Sequence, residues 1–393
     1  MHNKTYIRNL SIALLLFVLP SMSANAKFYS IDPAYQDPVD LGSGGASLTF
    51  ATNEGMVFSN PALMPLGPKT FRWLGTRFSL VPSQGALDIV SGDLPSFDFS
   101  DPVAAVDELG SFDAEVGAGS TLLTFIMSNF AIVPIASDLK VSLGFNKFGT
   151  PESGTSTFEA FVDIDNKAGV AMAFSGMPAR WFSLGVTAKA LYVTEQSIVI
   201  PLNLAAFVAN QEAAMTSLNE TLSSLSDEVG MDQVISYDVG SLFFFQGQNI
   251  DYRIATVVRD VGGATVSKAS IAGLGANASG ESTGEKPQAV DLGLGVTLHN
   301  HSSFIHLAAD VKDYLNAYGE PDFKRYSFGL KTHIMRWVAL GAGIRHGHPT
   351  AGIEFDALLF RLSFSQYYEV LGDDPLGKKR KYNHVSFGFG TDF

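Results

Sequence analysis

Cysteine is absent from this 393-residue chain, and charged residues make up only 17% of it. Without cysteine there is no disulfide and no lipid anchor on an N-terminal cysteine, so an exported form must be stabilised by other means. The formal net charge of −13 argues against a nucleic-acid-binding surface, because such surfaces are basic. We therefore expect no nucleic-acid partner.

Long uninterrupted apolar runs are also lacking beyond the N-terminus. The nearest candidate, Leu122 to Ala136, is broken by Ser128, Asn129 and Pro134. A membrane-spanning helix needs about 18 or more such residues. An exported chain of this kind is either soluble or crosses a membrane as a closed β-barrel.

The first 26 residues have the pattern of a secretory signal peptide. Lys4 and Arg8 precede a short apolar run from Leu10 to Leu19, and small residues at Ala24 to Ala26 suit a cleavage site. We expect cleavage after Ala26 and exclude residues 1–26 from the fold.

The chain is rich in glycine and phenylalanine, and its apolar residues alternate with polar or small ones. Residues 290–298 show this pattern clearly, and it recurs through most of the last hundred residues. Such alternation over strands of about ten residues is typical of a membrane barrel, with one face toward lipid and one toward a polar lumen. It predicts an all-β fold, a transmembrane antiparallel β-barrel of about fourteen strands, over residues 69–393.

A soluble β-sandwich would show the same alternation, with its apolar face in a core. Two features favour the barrel. One is the number of successive amphipathic hairpins. The other is an aromatic last strand with little charge that includes Phe389 and ends at Phe393, where soluble chains usually become polar.

Several segments depart from simple alternation. Residues 91–119, rich in Asp, Gly and Ser, are predicted to form an exposed loop, and residues 157–175 a hairpin that turns at Asn166-Lys167. Apolar residues three and four apart predict a helical loop insert at about 203–229. We expect one or two strands between Ser236 and Ser270.

Residues 27–68 precede the first predicted strand and form an N-terminal arm and a second, compact part. Residues 41–68 contain Gly44, Gly45, Asn60, Pro61 and Ala62. They are too interrupted by Gly and Pro for a helix and lack the alternation of a strand. Such backbone needs hydrogen-bond partners from its surroundings. An ordinary turn into the first strand is the alternative interpretation.

Two motifs carry a resemblance to a known family. Gly44-Gly45-Ala46, a small apolar stretch and then Asn60-Pro61-Ala62 resemble the hatch of FadL-type outer-membrane long-chain fatty acid transporters and of their conjugal-transfer-associated relatives. The terminal VSFGFGTDF, with Phe389 and Phe393, resembles the C-terminal signal read by the barrel-assembly machinery. The resemblance implies a barrel of about fourteen strands plugged by residues 41–68. Hydrophobic ligands would enter from outside and leave sideways into outer-membrane lipid.

Charged residues on the polar face of the predicted strands should line the lumen. This set is His306, Asp310, Lys312, Lys331, His333, Arg345 and Arg361. Its basic members could meet a fatty-acid carboxylate, or the whole set could pair across the lumen and neutralise buried charge.

No motif indicates catalysis or a cofactor. His299-Asn300-His301 and His346-Gly347-His348 lie in predicted turns without a carboxylate or thiol set at ligand spacing. No G-x-S-x-G setting is present. The sequence predicts a non-enzymatic protein without metal that transports hydrophobic small molecules across the Gram-negative outer membrane. The alternative is a structural or assembly barrel of a conjugation or secretion system.

Overall fold

The computed structural model describes residues 35–67, 72–91, 113–148, 157–202, 231–269, 284–300, 303–335, 337–357, 359–370 and 379–392. The predicted signal peptide, the predicted helical insert at 203–229 and Phe393 lie outside these residues.

The described strands are β1 (Arg72–Pro82), β2 (Asp113–Ile126), β3 (Phe130–Phe148), β4 (Thr157–Ala179), β5 (Phe182–Leu202), β6 (Met231–Gln246), β7 (Ile250–Arg259), β8 (Ala264–Ala269), β9 (Gly284–Lys286), β10 (Ala289–Asn300), β11 (Ser303–Val311), β12 (Tyr326–Met335), β13 (Val338–Arg345), β14 (His348–Ala357), β15 (Phe360–Val370) and β16 (Lys379–Asp392). The helices are α1 (Pro38–Gly42), α2 (Glu54–Ser59), a 3₁₀ helix (Pro61–Leu66), α3 (Gln84–Ser91) and α4 (Asp322–Arg325). None of these described helices has the length and apolar character needed to span a bilayer.

Fourteen of the strands form a closed antiparallel ring. Each pairs with its neighbours along the chain, β7 pairs with β10, and the ring closes because β1 pairs with β16. The remaining strands, β8 and β9, form a hairpin attached to the start of β6. The prediction of an all-β barrel of about fourteen strands is confirmed.

Alternation along the strands places apolar side chains outside and polar ones inside. Leu294, Phe328 and Ile344 are about half exposed, whereas Lys331 and Arg345 are almost fully buried. A soluble sandwich would bury its apolar face, so this inverted arrangement is that of a barrel set in lipid. Phe389 lies on the same outward face.

The two ends of the barrel differ in the length of their connections. At one end the strands are joined by short turns, such as residues 127–129, 180–181 and 247–249. At the other end the described connections include residues 312–325, between β11 and β12. In outer-membrane barrels the short turns face the periplasm and the longer loops face outward.

The predicted hairpin at Asn166-Lys167 is wrong. The chain continues through it as β4, where Lys167 pairs with Asp138 of β3 and Val193 of β5. A two-residue hairpin favours glycine or asparagine at positive φ, which Asn-Lys supplies only in part. Pairing with β3 on one side and β5 on the other keeps the strand extended.

Two further predictions need correction. Residues 113–119 belong to β2 rather than to an exposed loop. Their acidic residues suggested exposure to solvent, but Asp113 and Glu115 face the lumen and pair with Arg380. The region from Ser236 to Ser270 contains parts of three strands, β6, β7 and β8, instead of one or two.

Candidate functional site inside the barrel

Residues 35–67, here called the N-terminal segment, cross the interior of the barrel. The Thr350 hydroxyl of β14 donates to the Gly42 carbonyl at 2.9 Å, and the Leu48 N–H donates to the Asp310 carboxylate of β11 at 2.9 Å. The Thr187 hydroxyl of β5 donates to the Val57 carbonyl at 2.7 Å. Since these strands lie at different places in the ring, the segment is held from several sides.

Short helices give the segment its local structure, which corrects the expectation of irregular backbone throughout. The Asp37 carboxylate accepts the Val39 N–H at 3.1 Å and begins α1. The Asn60 side chain accepts the Ala62 N–H at 3.0 Å, and Pro61 occupies the first position of the 3₁₀ helix. Side-chain caps and an initial proline allow one-turn helices where Gly and Pro exclude long ones.

Inward-facing glycines let the segment lie directly on the barrel wall. A Cβ added at Gly343 would lie 2.4 Å from the Phe328 carbonyl oxygen and 2.5 Å from the Gly44 nitrogen. Gly44 and Gly45 have φ values of 75° and 70°, which favour glycine. The wall glycines that contact the segment are Gly185, Gly240, Gly293, Gly295, Gly329, Gly341, Gly343 and Gly352.

Most of the predicted lumen-lining charges contact the segment. Lys331 pairs with Asp40 at 3.1 Å, and Arg345 donates to the Gln36 side chain at 2.7 Å. The Lys312 ammonium lies near Gly45, and the His306 ring stacks on Phe50 with centroids 5.7 Å apart.

Arg361 and His333 have partners in the wall, and Arg361 pairs with Asp356 and Glu354 of β14. The His333 ring packs on Phe304. The lumen charges therefore divide between partners in the wall and partners in the segment.

A buried ion pair that sequence reasoning missed fixes the start of the segment. The Arg77 guanidinium of β1 lies 2.6 Å from the Asp37 carboxylate and 2.7 Å from the Tyr35 hydroxyl. Burial is the largest single influence and would raise the pKa of Asp37, but the charges of Arg77 and Lys331 and the hydrogen bond from Arg77 together outweigh it and lower that pKa to about 2. Asp37 is therefore ionised in the folded barrel at neutral pH.

The opposite side of the segment is apolar. Met56, Phe58 and Leu63 pack against inward residues of β3, β4 and β6. On β3 these are Ala131, Val133 and Ile135, all buried. The inner wall there is as apolar as the outer one, which is why this part of the chain shows little alternation.

The same side of the ring carries successive irregularities in strand pairing. Pairing shifts between β1 and β2, between β3 and β4, and most strongly between β2 and β3. The β2–β3 break lies between the pairs Thr121–Ile135 and Phe125–Ile132. It contains Pro134, which has no N–H to donate, and Leu123 with a φ of 52°.

A small cavity lies beside this break, on the inner face of β1, β2 and β3. It is lined by Tyr35, Arg77, Ser79, Gly119, Ser120, Thr121, Ile135, Ser137 and Asp138. The Thr121 hydroxyl is buried and has no hydrogen-bond partner. Apolar packing, a broken ladder and an unpaired polar group thus meet at one place in the wall.

Comparisons with known proteins find similarity in structure only. No protein-family model and no curated protein matches the chain. The toluene transporter TodX of Pseudomonas putida is 12% identical, with a TM-score of 0.47 over 91% of this chain and 98% of that one. The Ralstonia pickettii toluene transporter TbuX is 10% identical, with a TM-score of 0.47 over 94% and 100%. A Pseudomonas aeruginosa FadL homologue is 12% identical, with a TM-score of 0.37 over 94% and 100%.

Proposed function

We propose that this protein is an outer-membrane transporter of hydrophobic small molecules, long-chain fatty acids or hydrocarbon-like compounds, in which the N-terminal segment is the plug. The observation that carries the proposal is the meeting of the plug's apolar side with the broken β2–β3 pairing. A hydrophobic molecule beside Met56 and Phe58 would be one strand away from lipid.

The route that fits this geometry enters at the long-loop end and leaves sideways through the β2–β3 break. Straight passage to the short-turn end would require the plug to leave Gly343, Lys331 and Asp310, where it is held by close backbone contact and by buried polar bonds. Sideways exit requires only local movement, where apolar contacts are non-directional and some ladder hydrogen bonds are missing.

Buried polar contacts between plug and wall also support a second candidate, a closed structural barrel that serves a conjugation or secretion system through its loops. Such a barrel would need a permanent seal, and the Arg77–Asp37 and Lys331–Asp40 pairs would provide one. In this case the barrel should co-purify with envelope partners and carry no hydrophobic ligand.

Uptake in a deletion strain separates the two candidates. We expect loss of the gene to slow entry of radiolabelled oleate or of an aromatic hydrocarbon, and the intact chain to restore it. Unchanged uptake across both compounds, with the barrel shown to be present in the complemented strain, would contradict the transport proposal.

A further inference from the structure

We infer that the cavity beside the β2–β3 break binds the polar end of neutral hydroxyl-bearing amphiphiles, such as alkylphenols or alkanols, in preference to pure hydrocarbons or carboxylates. This inference rests on the proposed transport function and names the substrate class for it.

The first argument is the unused hydrogen-bonding capacity of the cavity. The Thr121 hydroxyl is 1% exposed and unpartnered. The Ser137 hydroxyl lies 3.0 Å from the Asn166 side-chain oxygen and donates to it, so its own oxygen is left to accept. Buried polar groups are normally paired, so a molecule that fills this cavity binds best when it supplies both a donor and an acceptor.

The second argument is charge. The Arg77 guanidinium in the cavity wall already donates to Asp37 and Tyr35, so its positive charge is compensated. Asp138 adds a carboxylate to the same lining. Lys140 and Lys167 are the cations near Asp138, and Lys167 is also paired with Asp165. A carboxylate ligand would compete with Asp138 for these cations, whereas a neutral hydroxyl can donate to Asp138 and accept from Thr121.

The third argument is the inner surface next to the cavity. On β15 and β16, Ser365, His384 and Ser386 are buried, and the Ser365 and Ser386 hydroxyls and both His384 ring nitrogens have no hydrogen-bond partner. Ser386 pairs across the strands with Ser79, which lines the cavity. A hydroxyl group moving along this surface would meet partners at successive strands, whereas a hydrocarbon would leave them unpaired.

The apolar part of the ligand has a place in the same geometry. Ile135 lines the cavity, and Leu122 and Leu123 lie at the break with their side chains exposed toward lipid. A ligand with its hydroxyl at Thr121 could therefore direct its hydrocarbon part into the bilayer.

The test compares ligands that differ only in the polar group. Binding of 4-ethylphenol, ethylbenzene and 4-ethylbenzoate to the purified full-length barrel in detergent micelles would be measured by calorimetry. We expect 4-ethylphenol to bind about tenfold more tightly than ethylbenzene, since each net hydrogen bond contributes roughly a factor of ten at most. The carboxylate 4-ethylbenzoate should bind most weakly.

Near-isosteric variants locate the effect. Thr121→Val should weaken 4-ethylphenol binding about tenfold and leave ethylbenzene unchanged. Asp138→Asn should strengthen 4-ethylbenzoate binding by about tenfold, because it removes the repulsive charge. Thr332→Val is the control, because the Thr332 hydroxyl lies on β12, away from the cavity, and donates to the Phe304 carbonyl.

Equal binding of 4-ethylphenol and ethylbenzene, or equal loss of both in Thr121→Val, would overturn the inference. The inference would also be overturned if none of the three compounds bound. The proposed transport function fails separately, if 4-ethylphenol binds as expected but the deletion strain takes it up at the wild-type rate.

Discussion

The two sides of the barrel differ in regularity. On one side, which we call the regular wall (β10–β15), the pairs β10–β11, β11–β12, β13–β14 and β14–β15 run without any shift of register, and β12–β13 shifts only at its end, between His333 and Met335. On the other side, the bulged wall (β1–β4), every pair contains a shift. Bulges bend strands and interrupt ladders, and they are frequent near functional sites.

The walls also differ in how they hold the plug. The regular wall uses glycine contacts and buried polar bonds, such as Gly343 on Gly44 and Lys331 on Asp40. Behind the bulged wall, β3 and β4 meet the plug with Ala131, Val133 and Ala173. Polar bonds fix distance and direction, whereas apolar contacts tolerate sliding. The regular wall therefore anchors the plug by polar contacts along its length. On the bulged wall the Arg77–Asp37 pair holds only the start of the segment, and the apolar contacts of β3 and β4 are where the barrel can yield.

Breaking the anchor on the regular wall should have the largest effect. Lys331→Met leaves the buried Asp40 carboxylate without its partner and should cost about 3–5 kcal/mol of stability. Adding Asp40→Asn should restore most of the loss. Both variants can be compared by the temperature at which the barrel loses its fast migration on unheated gels. Equal stability of Lys331→Met and the wild type would show that the pair does not anchor the plug.

Glycine contact on the regular wall should come next. Gly343→Ala places a methyl group against backbone atoms of Phe328 and Gly44 and should destabilise the barrel by about 2–3 kcal/mol. Gly388→Ala is the matched control, since its added Cβ would lie 3.5 Å from the nearest atom, the Thr76 carbonyl oxygen. The same gel assay measures both, and equal losses would argue against close docking at Gly343.

Acid should weaken the ion pair on the bulged wall by about 2 kcal/mol. The pKa of Asp37 is lowered from 3.8 to about 2 in the folded barrel. The stabilisation of the folded barrel by ionised Asp37 is therefore fully present above about pH 4 and is lost as the pH falls through 2. The stability difference between the wild type and Asp37→Asn should shrink over that interval. A difference that stays constant from pH 5 to pH 2 would contradict the assignment.

Truncation behind the bulged wall should have the smallest effect on stability and a visible effect on permeability. Val133→Ala, beside the break, and Val257→Ala, on β7, each remove a fully buried side chain from the same apolar cluster. Each should cost about 1–2 kcal/mol. Only Val133→Ala should raise uptake of hydrophobic molecules, and equal uptake in both variants would mean that the break is not the route.

The sequence predicted the regular wall better than the bulged wall, for a physical reason. Where one face meets lipid and the other meets polar groups, residues such as Leu294 and Asp291 must alternate, and the pattern is visible. On β3 the lumen face meets the apolar side of the plug, so its inward residues, such as Val133 and Ile135, are apolar as well. Both faces of the strand are then apolar, and the alternation of polar and apolar residues that predicts a strand is lost. The composition of Asn166-Lys167 favours a turn, but β4 continues through it because it pairs with β3 and β5. That pairing is not visible in the local sequence.

Plug contacts were only partly predictable. Asn60-Pro61-Ala62 distinguished residues 41–68 from the strands, but the pairing of Asp40 with Lys331 joins residues 291 positions apart and leaves no local signal. One available signal was overlooked. Glycines two apart, Gly341 and Gly343 or Gly293 and Gly295, mark strand faces on which another backbone must lie close.

The most direct test of lateral exit is to cross-link two strands of the bulged wall with a disulfide. Because the chain has no cysteine, Thr121→Cys/Ile135→Cys introduces a single disulfide at the pair that borders the break. Leu307→Cys/Leu330→Cys is the control, because it cross-links β11 to β12 in the regular wall. We predict that oxidation abolishes 4-ethylphenol uptake in the first variant, that reductant restores it, and that the control is unaffected by either. Undiminished uptake by the oxidised Thr121→Cys/Ile135→Cys variant would contradict transport through the bulged wall.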